Sequence, residues 1–314
     1  MSAPPIPPAA GEITLETGSE GFGAAETQAS VMGIRVQTQF GDIRRRFFRN
    51  KLAVVGLVMV GIVFFAALAA PLISPHDPQV QDMSNTLAEP SSDHWFGTDE
   101  NGRDQLSRVI HGARIAVIVG VSVILLALVI GVVLGSLSGY LGGAWDAVIM
   151  RIADVFFAFP MIVGAIVIVL VVGRGLTPVV LALAIFSWAT VARLLRSSIL
   201  SVRETEYVEA ARSLGAGRWR IVTRHVLPNS MAPVLVYAMV SVATAIVAEA
   251  SLSFLGVGLQ PDVADWGNMI SAGQKFFGYK DYLWFFPSLA VVFTVLGFVF
   301  MGDGLRDALD PRLR

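Results

Sequence analysis

The fold class this sequence predicts is an all-α integral membrane protein with six transmembrane helices, and three observations carry the prediction. Hydrophobic residues make up 54% of the 314, charged residues only 15%, and mean hydropathy is +0.67. A soluble core does not need that much apolar side chain. Six apolar runs are long enough to cross a bilayer, and Lys and Arg are unevenly shared among the segments that join them.

A hydrocarbon layer of roughly 30 Å takes about 20 helical residues. The runs that meet this length are Leu52 to Ile73, Ile115 to Tyr140, Ile152 to Val172, Leu176 to Ala192, Pro233 to Leu259 and Tyr282 to Met301. Backbone polar groups find no water in lipid, and the runs do not alternate as barrel strands would, so each is expected to be helical. With the N-terminus placed in the cytoplasm, 17 of the 23 Lys and Arg residues fall on the inner side. The positive-inside rule then puts both termini in the cytoplasm.

Residues 1–40 are rich in Pro, Ala, Gly, Ser and Thr and are expected to form a disordered tail. Residues 41–114 read as an N-terminal anchor helix with an extracytoplasmic loop, and 115–314 as a core of five further spans. Ahead of the first span, Arg44, Arg45, Arg46, Arg49 and Lys51 suit anionic headgroups, with Phe47 and Phe48 at the interface. Between the first two spans, 98–114 is expected to be an amphipathic helix capped by Thr98 or Asp99.

Gly131, Gly135 and Gly139 share one face of the second span, a spacing that lets another helix pack closely. Pro160 is expected to kink the third span, and Asp154 to pair with Arg151 one turn away. Glu249 is the acidic residue deepest in an apolar run. Its cost is on the order of 3 kcal/mol, and the twelve Val, Leu, Ile and Phe residues of its span return about 4 to 7 kcal/mol. A role lining the pathway and a carboxyl satisfied by Ser251 or Ser253 are both compatible with that balance.

The inner connection at 193–232 reads as helix, turn, helix. Val202, Tyr207, Ala210, Ala211 and Leu214 fall at helical spacing, Gly215 and Gly217 supply the turn, Trp219, Ile221, Val222 and Val226 resume a helix, and Pro228 stops it.

Several chemistries are excluded by what is missing. The three lysines follow Asn50, Gln274 and Tyr279, so no G-x-x-x-x-G-K-[ST] loop exists for ATP. Neither H-E-x-x-H nor G-x-S-x-G occurs, and His76, His94, His111 and His225 are scattered, so no metal or hydrolytic site is expected. With no cysteine, disulfides and thiolate sites are also excluded. A secondary transporter would show an inverted repeat and several intramembrane coupling charges, and neither is found.

EAARSLG followed by HVLPN resembles the EAA loop of membrane subunits of ATP-binding-cassette importers. RRFFRNKLAVVGLV, HWFGTDENGRDQLSRVIHGAR, LSFLGVGLQPDVADWGNMI and GDGLRDALDPRLR narrow the likeness to the C-type permease subunit of bacterial dipeptide and oligopeptide importers, from about Phe40 onward. The chain departs from that family's pattern at Trp95-Phe96, Asp262 and Val299.

The resemblance implies a type I importer permease fold in the bacterial cytoplasmic membrane. It further implies that Tyr207, Glu209, Ala210, Ala211, Leu214, Gly215 and Pro228 couple the spans to a separate ATPase. Glu249 and Pro160 are the candidate pathway residues. The implied partners are a homologous B-type permease, two ATPase subunits or one fused ATPase, and an extracytoplasmic peptide-binding protein. ATP and Mg would be bound by the ATPase subunits, no cofactor by this chain, and no nucleic acid is involved.

Overall fold

The computed structural model describes residues 39–309, so the expected tail at 1–40 and the last five residues lie outside the described residues, apart from Gln39 and Phe40 at the start of a helix. All regular elements among the described residues are helical. Helix α1 (Gln39–Arg49) is followed by α2 (Lys51–Ile73), α3 (Gln105–Leu141), α4 (Gly143–Ala158), α5 (Met161–Val172) and α6 (Leu176–Val202). Two shorter helices come next, α7 (Glu206–Ser213) and α8 (Arg218–Ile221). A π-helical turn at Val222–Val226 then leads into α9 (Leu227–Ser230). The chain finishes with α10 (Ala232–Phe254), α11 (Trp266–Gly273) and α12 (Tyr282–Leu309).

Five helices, α2, α3, α6, α10 and α12, are each long and apolar enough to cross a membrane, and α4 with α5 makes a sixth candidate, bent by 89° at its break. The expected third span is therefore not one rod. Pro160 cannot donate a backbone hydrogen bond and disfavours helical backbone at Phe159, which is extended at φ −100°, ψ 133°. What was expected as a kink is a complete interruption.

Other boundaries differ from expectation as well: the fourth span continues past Ala192 to Val202 and the sixth past Met301 to Leu309. The second span and the amphipathic helix before it are one 37-residue helix. Its cap is Asp104, whose carboxylate accepts from the Ser107 N–H at 2.8 Å, while Thr98 and Asp99 belong to the preceding loop. The fifth span ends at Phe254, where the chain folds back and the Val257 and Gly258 N–H groups donate to the Leu252 carbonyl. Pro228 does not stop a helix. The helical run continues past it to Ser230, with the π turn at Val222–Val226 immediately before α9.

Helices α6 and α10 are the most buried of the spans, with about half of their apolar windows covered. Close contact with α6 is made possible by the glycines of α3. A Cβ added at Gly135 would sit 2.7 Å from the Ala192 carbonyl oxygen, and one at Gly131 2.6 Å from Val191 Cγ1. Gly139 faces Ile199 in the same way. This row thus packs within the chain, a question the spacing alone left open.

Helix α2 is held against α12 by the same device. A Cβ on Gly56 would lie 2.6 Å from the Met301 nitrogen. At its start, Asn50 accepts from the Leu52 and Ala53 N–H groups and donates to Asp307. Leu68 and Leu72 on the other side stay more than 80% exposed, which suits lipid and not water.

Candidate functional site

Two ends of the bundle carry the residues that the sequence singled out. At one end lies the hairpin between α6 and α10. Thr205 precedes α7, whose last turn closes as the Leu214 N–H donates to the Ala210 carbonyl. Gly215 then takes φ +79°, a left-handed conformation that an L side chain adopts only with strain. Gly217, expected to share that role, has φ −64° and stands as the residue before α8.

The hairpin is anchored by Val208, Ile221 and Val226, each at most 1% exposed, which pack with Leu195 and Ile199 of α6 and Val234 of α10. Sequence reading missed Val208, which lies off the apolar stripe it followed. The stripe itself points away from the core. Leu214 is 88% exposed, Tyr207 is 45% exposed, and Glu209, Ala210 and Pro228 are exposed as well, with Ala211 half-buried. Among the described residues the Glu209 carboxylate pairs with Arg212, at 3.4 Å. The hairpin is therefore fastened from beneath and presents an apolar edge with no partner among the described residues.

Arginines fix the neighbouring helix ends. Arg196 of α6 makes a two-pronged ion pair with Asp146 of α4, at 2.5 and 2.6 Å, and Ser138 donates to the same carboxylate. Arg203 donates to the Gly139 carbonyl at 3.2 Å. Asp154 pairs with Arg193 at 2.6 Å and not with Arg151. The planar guanidinium of Arg193 also lies 4.2 Å from the centre of the Phe157 ring, a position Arg151 on the same helix does not reach.

At the middle of the bundle, a cavity of about 170 Å³ opens between the α4–α5 break and helices α3, α6 and α10. Phe156, Phe159 and Phe186 line its apolar side, and Ser187, Thr190, Tyr237 and Thr244 its polar side. Pro160 sits between two lining residues, Phe159 and Met161. Glu249 does not line this cavity. It is 2% exposed and accepts from Ser253 at 2.9 Å. Asp265 caps α11 by accepting from the Asn268 N–H, and burial pushes its carboxyl above the usual carboxylate range. Of the two roles open to Glu249, lining the pathway or being satisfied by a neighbouring serine, the contact that is present is the one with Ser253.

The other end of the bundle is closed by the loop from Ser74 to Asp104. Asp99 accepts from Arg103 Nε at 2.7 Å and from the N–H groups of Asn101 and Arg103. Arg108, 2% exposed, donates to the carbonyls of Pro78 and Val263 at 3.1 and 3.3 Å. Gln105 donates to the Leu283 carbonyl, and the Tyr282 hydroxyl to that of Ala88. Phe96 stacks on Phe286 with centroids 3.8 Å apart, which gives the Trp95-Phe96 departure a structural use. Asp262 places its main-chain carbonyl 3.5 Å from Arg108.

Residues 131–314 match the family described as the inner membrane component of binding-protein-dependent transport systems, and 38–90 match the N-terminal transmembrane domain of oligopeptide transport permease C. The oligopeptide transport system permease protein OppC of Bacillus subtilis is 42% identical over 273 residues, 87% of this chain and 90% of the relative. The glutathione transport system permease protein GsiD of Pectobacterium atrosepticum is 42% identical over 280 residues, covering 89% and 93%. The dipeptide transport system permease protein DppC of Alkalihalophilus pseudofirmus is 41% identical over 266 residues, covering 85% and 88%. Among solved structures, a chain of the inward-facing MetNI methionine ABC transporter superposes with a TM-score of 0.55 at 19% identity, covering 65% of this chain and 97% of that one. At that identity the likeness is one of fold. With apolar helices that can cross a membrane, an exposed hairpin carrying EAARSLG and sequence likeness over most of its length, the chain belongs to the family of multi-pass inner-membrane permease components of binding-protein-dependent ABC transport systems.

Proposed function

We propose that this chain is one of two permease subunits of a bacterial importer of di- or oligopeptides, forming half of the translocation pathway and coupled through the 193–232 hairpin to separate ATPase subunits. Both termini and the hairpin lie on the cytoplasmic side, and the loop from Ser74 to Asp104 faces the extracytoplasmic binding protein. The charge distribution supports this orientation, with seven Arg between residues 193 and 232 alone. Peptides are the substrate class named for the oligopeptide and dipeptide relatives, and glutathione, named for another, is itself a small peptide.

One observation carries the coupling: Tyr207, Ala210 and Leu214 are exposed while Val208, on the same helix, is fully buried. An apolar knob on a fastened element is suited to seating in a groove of another protein and to transmitting that protein's movement to α6 and α10 as a displacement. ATP and Mg belong to the ATPase subunits, since this chain has no phosphate loop. The pathway follows the cavity beside Pro160, where aromatic and hydroxyl side chains meet.

The chain contains no cysteine, so single-cysteine variants are unambiguous. Leu214→Cys should cross-link to a cysteine in the groove of a co-expressed ATPase subunit, and Val208→Cys should not. Cross-linking of neither, in a complex that co-purifies intact, would sink the coupling assignment.

A further inference from the structure

The four histidines are scattered in sequence, but the fold brings two of them together. His76 follows α2 by three residues, His94 lies in the loop, and both imidazoles turn toward Asp104, the residue that caps α3. The rings are 4.7 Å apart between centroids. His94 Nδ1 is 2.8 Å from Asp104 Oδ1, and His76 Nδ1 is 3.7 Å from the same oxygen.

A hydrogen bond accounts for His94 but not for His76. At 3.7 Å the latter is too far from the carboxylate to be bonded. Its backbone N–H is taken by Ser107 Oγ at 3.1 Å, which holds the residue in place without using the ring.

We infer that His76, His94 and Asp104 form a binding site for a divalent transition-metal ion of the zinc class. One ligand atom from each residue can be chosen so that all three lie within 4.8 Å of one another. A tetrahedral zinc ion at about 2.0–2.1 Å from each ligand sets ligand-to-ligand separations of about 3.3 Å. The two imidazole–carboxylate separations, 2.8 and 3.7 Å, lie on either side of that value and change by about half an ångström on binding, while the imidazole–imidazole separation, within 4.8 Å, closes by up to about 1.5 Å.

The outer contacts suit such a site. Asp104 Oδ2 accepts from the Ser107 N–H at 2.8 Å, which fixes the carboxylate and leaves Oδ1 facing the imidazoles. The Asp104 side chain is 1% exposed and the His76 side chain 45%, so the protein supplies a rigid base and an open rim. Water would fill the fourth position. Two imidazoles and one carboxylate select zinc-like ions over Mg²⁺ or Ca²⁺, which prefer all-oxygen shells. The bound ion would staple the exit of the first span to the start of the second.

The test uses the full-length chain purified in detergent through a tag without histidines, treated with chelator and then titrated with Zn²⁺. The wild type should retain one equivalent after gel filtration in millimolar Mg²⁺, and its melting temperature should rise. X-ray absorption should report two imidazole nitrogens at about 2.0–2.1 Å. His76→Ala and His94→Ala should each lose the equivalent and the melting shift, while His111→Ala and His225→Ala keep both. No retained zinc, or equal zinc in wild type and His76→Ala, would overturn the proposal. His76 is exposed enough for its replacement to leave the fold intact, which a melting curve without metal verifies.

Discussion

Replacing Gly215 with valine isolates the backbone geometry of the hairpin from its contacts. The residue sits at φ +79°, and a Cβ there meets nothing within 4 Å, so the substitution adds strain without a clash. Left-handed backbone costs an L residue about 1–2 kcal/mol, and a β-branched one suffers most. A difference of that size lowers the population of the native bend by a factor of about 5–30 against a relaxed one. If α7 must meet the ATPase at its native angle, peptide taken up per ATP hydrolysed should fall by up to that factor.

Gly217→Val is the control. It lies two residues away, also in open space, but at φ −64° and ψ 151°, where valine is comfortable. Its effect should stay within about 0.5 kcal/mol, the range of ordinary surface changes. The assay is uptake and ATP hydrolysis measured together in proteoliposomes holding both permeases, the ATPase subunits and the binding protein. Membrane insertion of both variants should be normal. Wild-type uptake per ATP in Gly215→Val, or equal impairment in Gly217→Val, would refute the reasoning.

Gly135→Ala should lower the thermal stability of the purified chain by about 1–3 kcal/mol, because the new methyl would meet main-chain atoms of α6 that cannot turn aside. Gly61→Ala in α2, where nothing lies within 4 Å, should be neutral or stabilising by up to about 1 kcal/mol, as read by melting in detergent. Glu249→Gln should leave transport close to wild type, because an amide oxygen can still accept from Ser253. A large change in transport kinetics at unchanged stability would return Glu249 to the pathway. Asp265→Asn should raise the melting temperature more at pH 8 than at pH 4. The raised pKa of Asp265 contributes stability below its unfolded value of about 3.9, and that contribution is lost as pH rises through the folded value. A melting difference that is flat with pH would count against this.

Hydropathy locates the spans well because lipid-facing helices are apolar all round, as in α2, and length alone then separates them from loops. Events decided by distant partners are harder to read. Thr98, Asp99 and Asp104 are all good caps by residue type, and the choice among them is made by Arg103 and Arg108, which draw Asp99 into the loop. Asp154 has a cation one turn away, yet bonds Arg193 from another helix, 39 positions on. The break at Phe159 turns the chain by 89° and leaves α5 packed against α6, an arrangement that the presence of Pro160 does not specify.

The hairpin shows the same division. Its helices and the bend at Gly215 follow from periodicity and glycine. Which face is buried follows from Ile199 and Val234 meeting Val208, and it is the opposite of what an apolar stripe ordinarily signals in a soluble helix. The meeting of His76 with His94, 18 positions apart, is likewise a product of the loop's folding.

The central claim is that these helices form half of a peptide pathway driven by another chain's ATP hydrolysis. It is tested most directly by uptake of labelled di- and oligopeptides into proteoliposomes containing the assembled complex. Accumulation that requires ATP, the ATPase subunits and the binding protein together, and that survives collapse of all ion gradients, is the result expected. Accumulation driven by an ion gradient in the absence of ATP would contradict it.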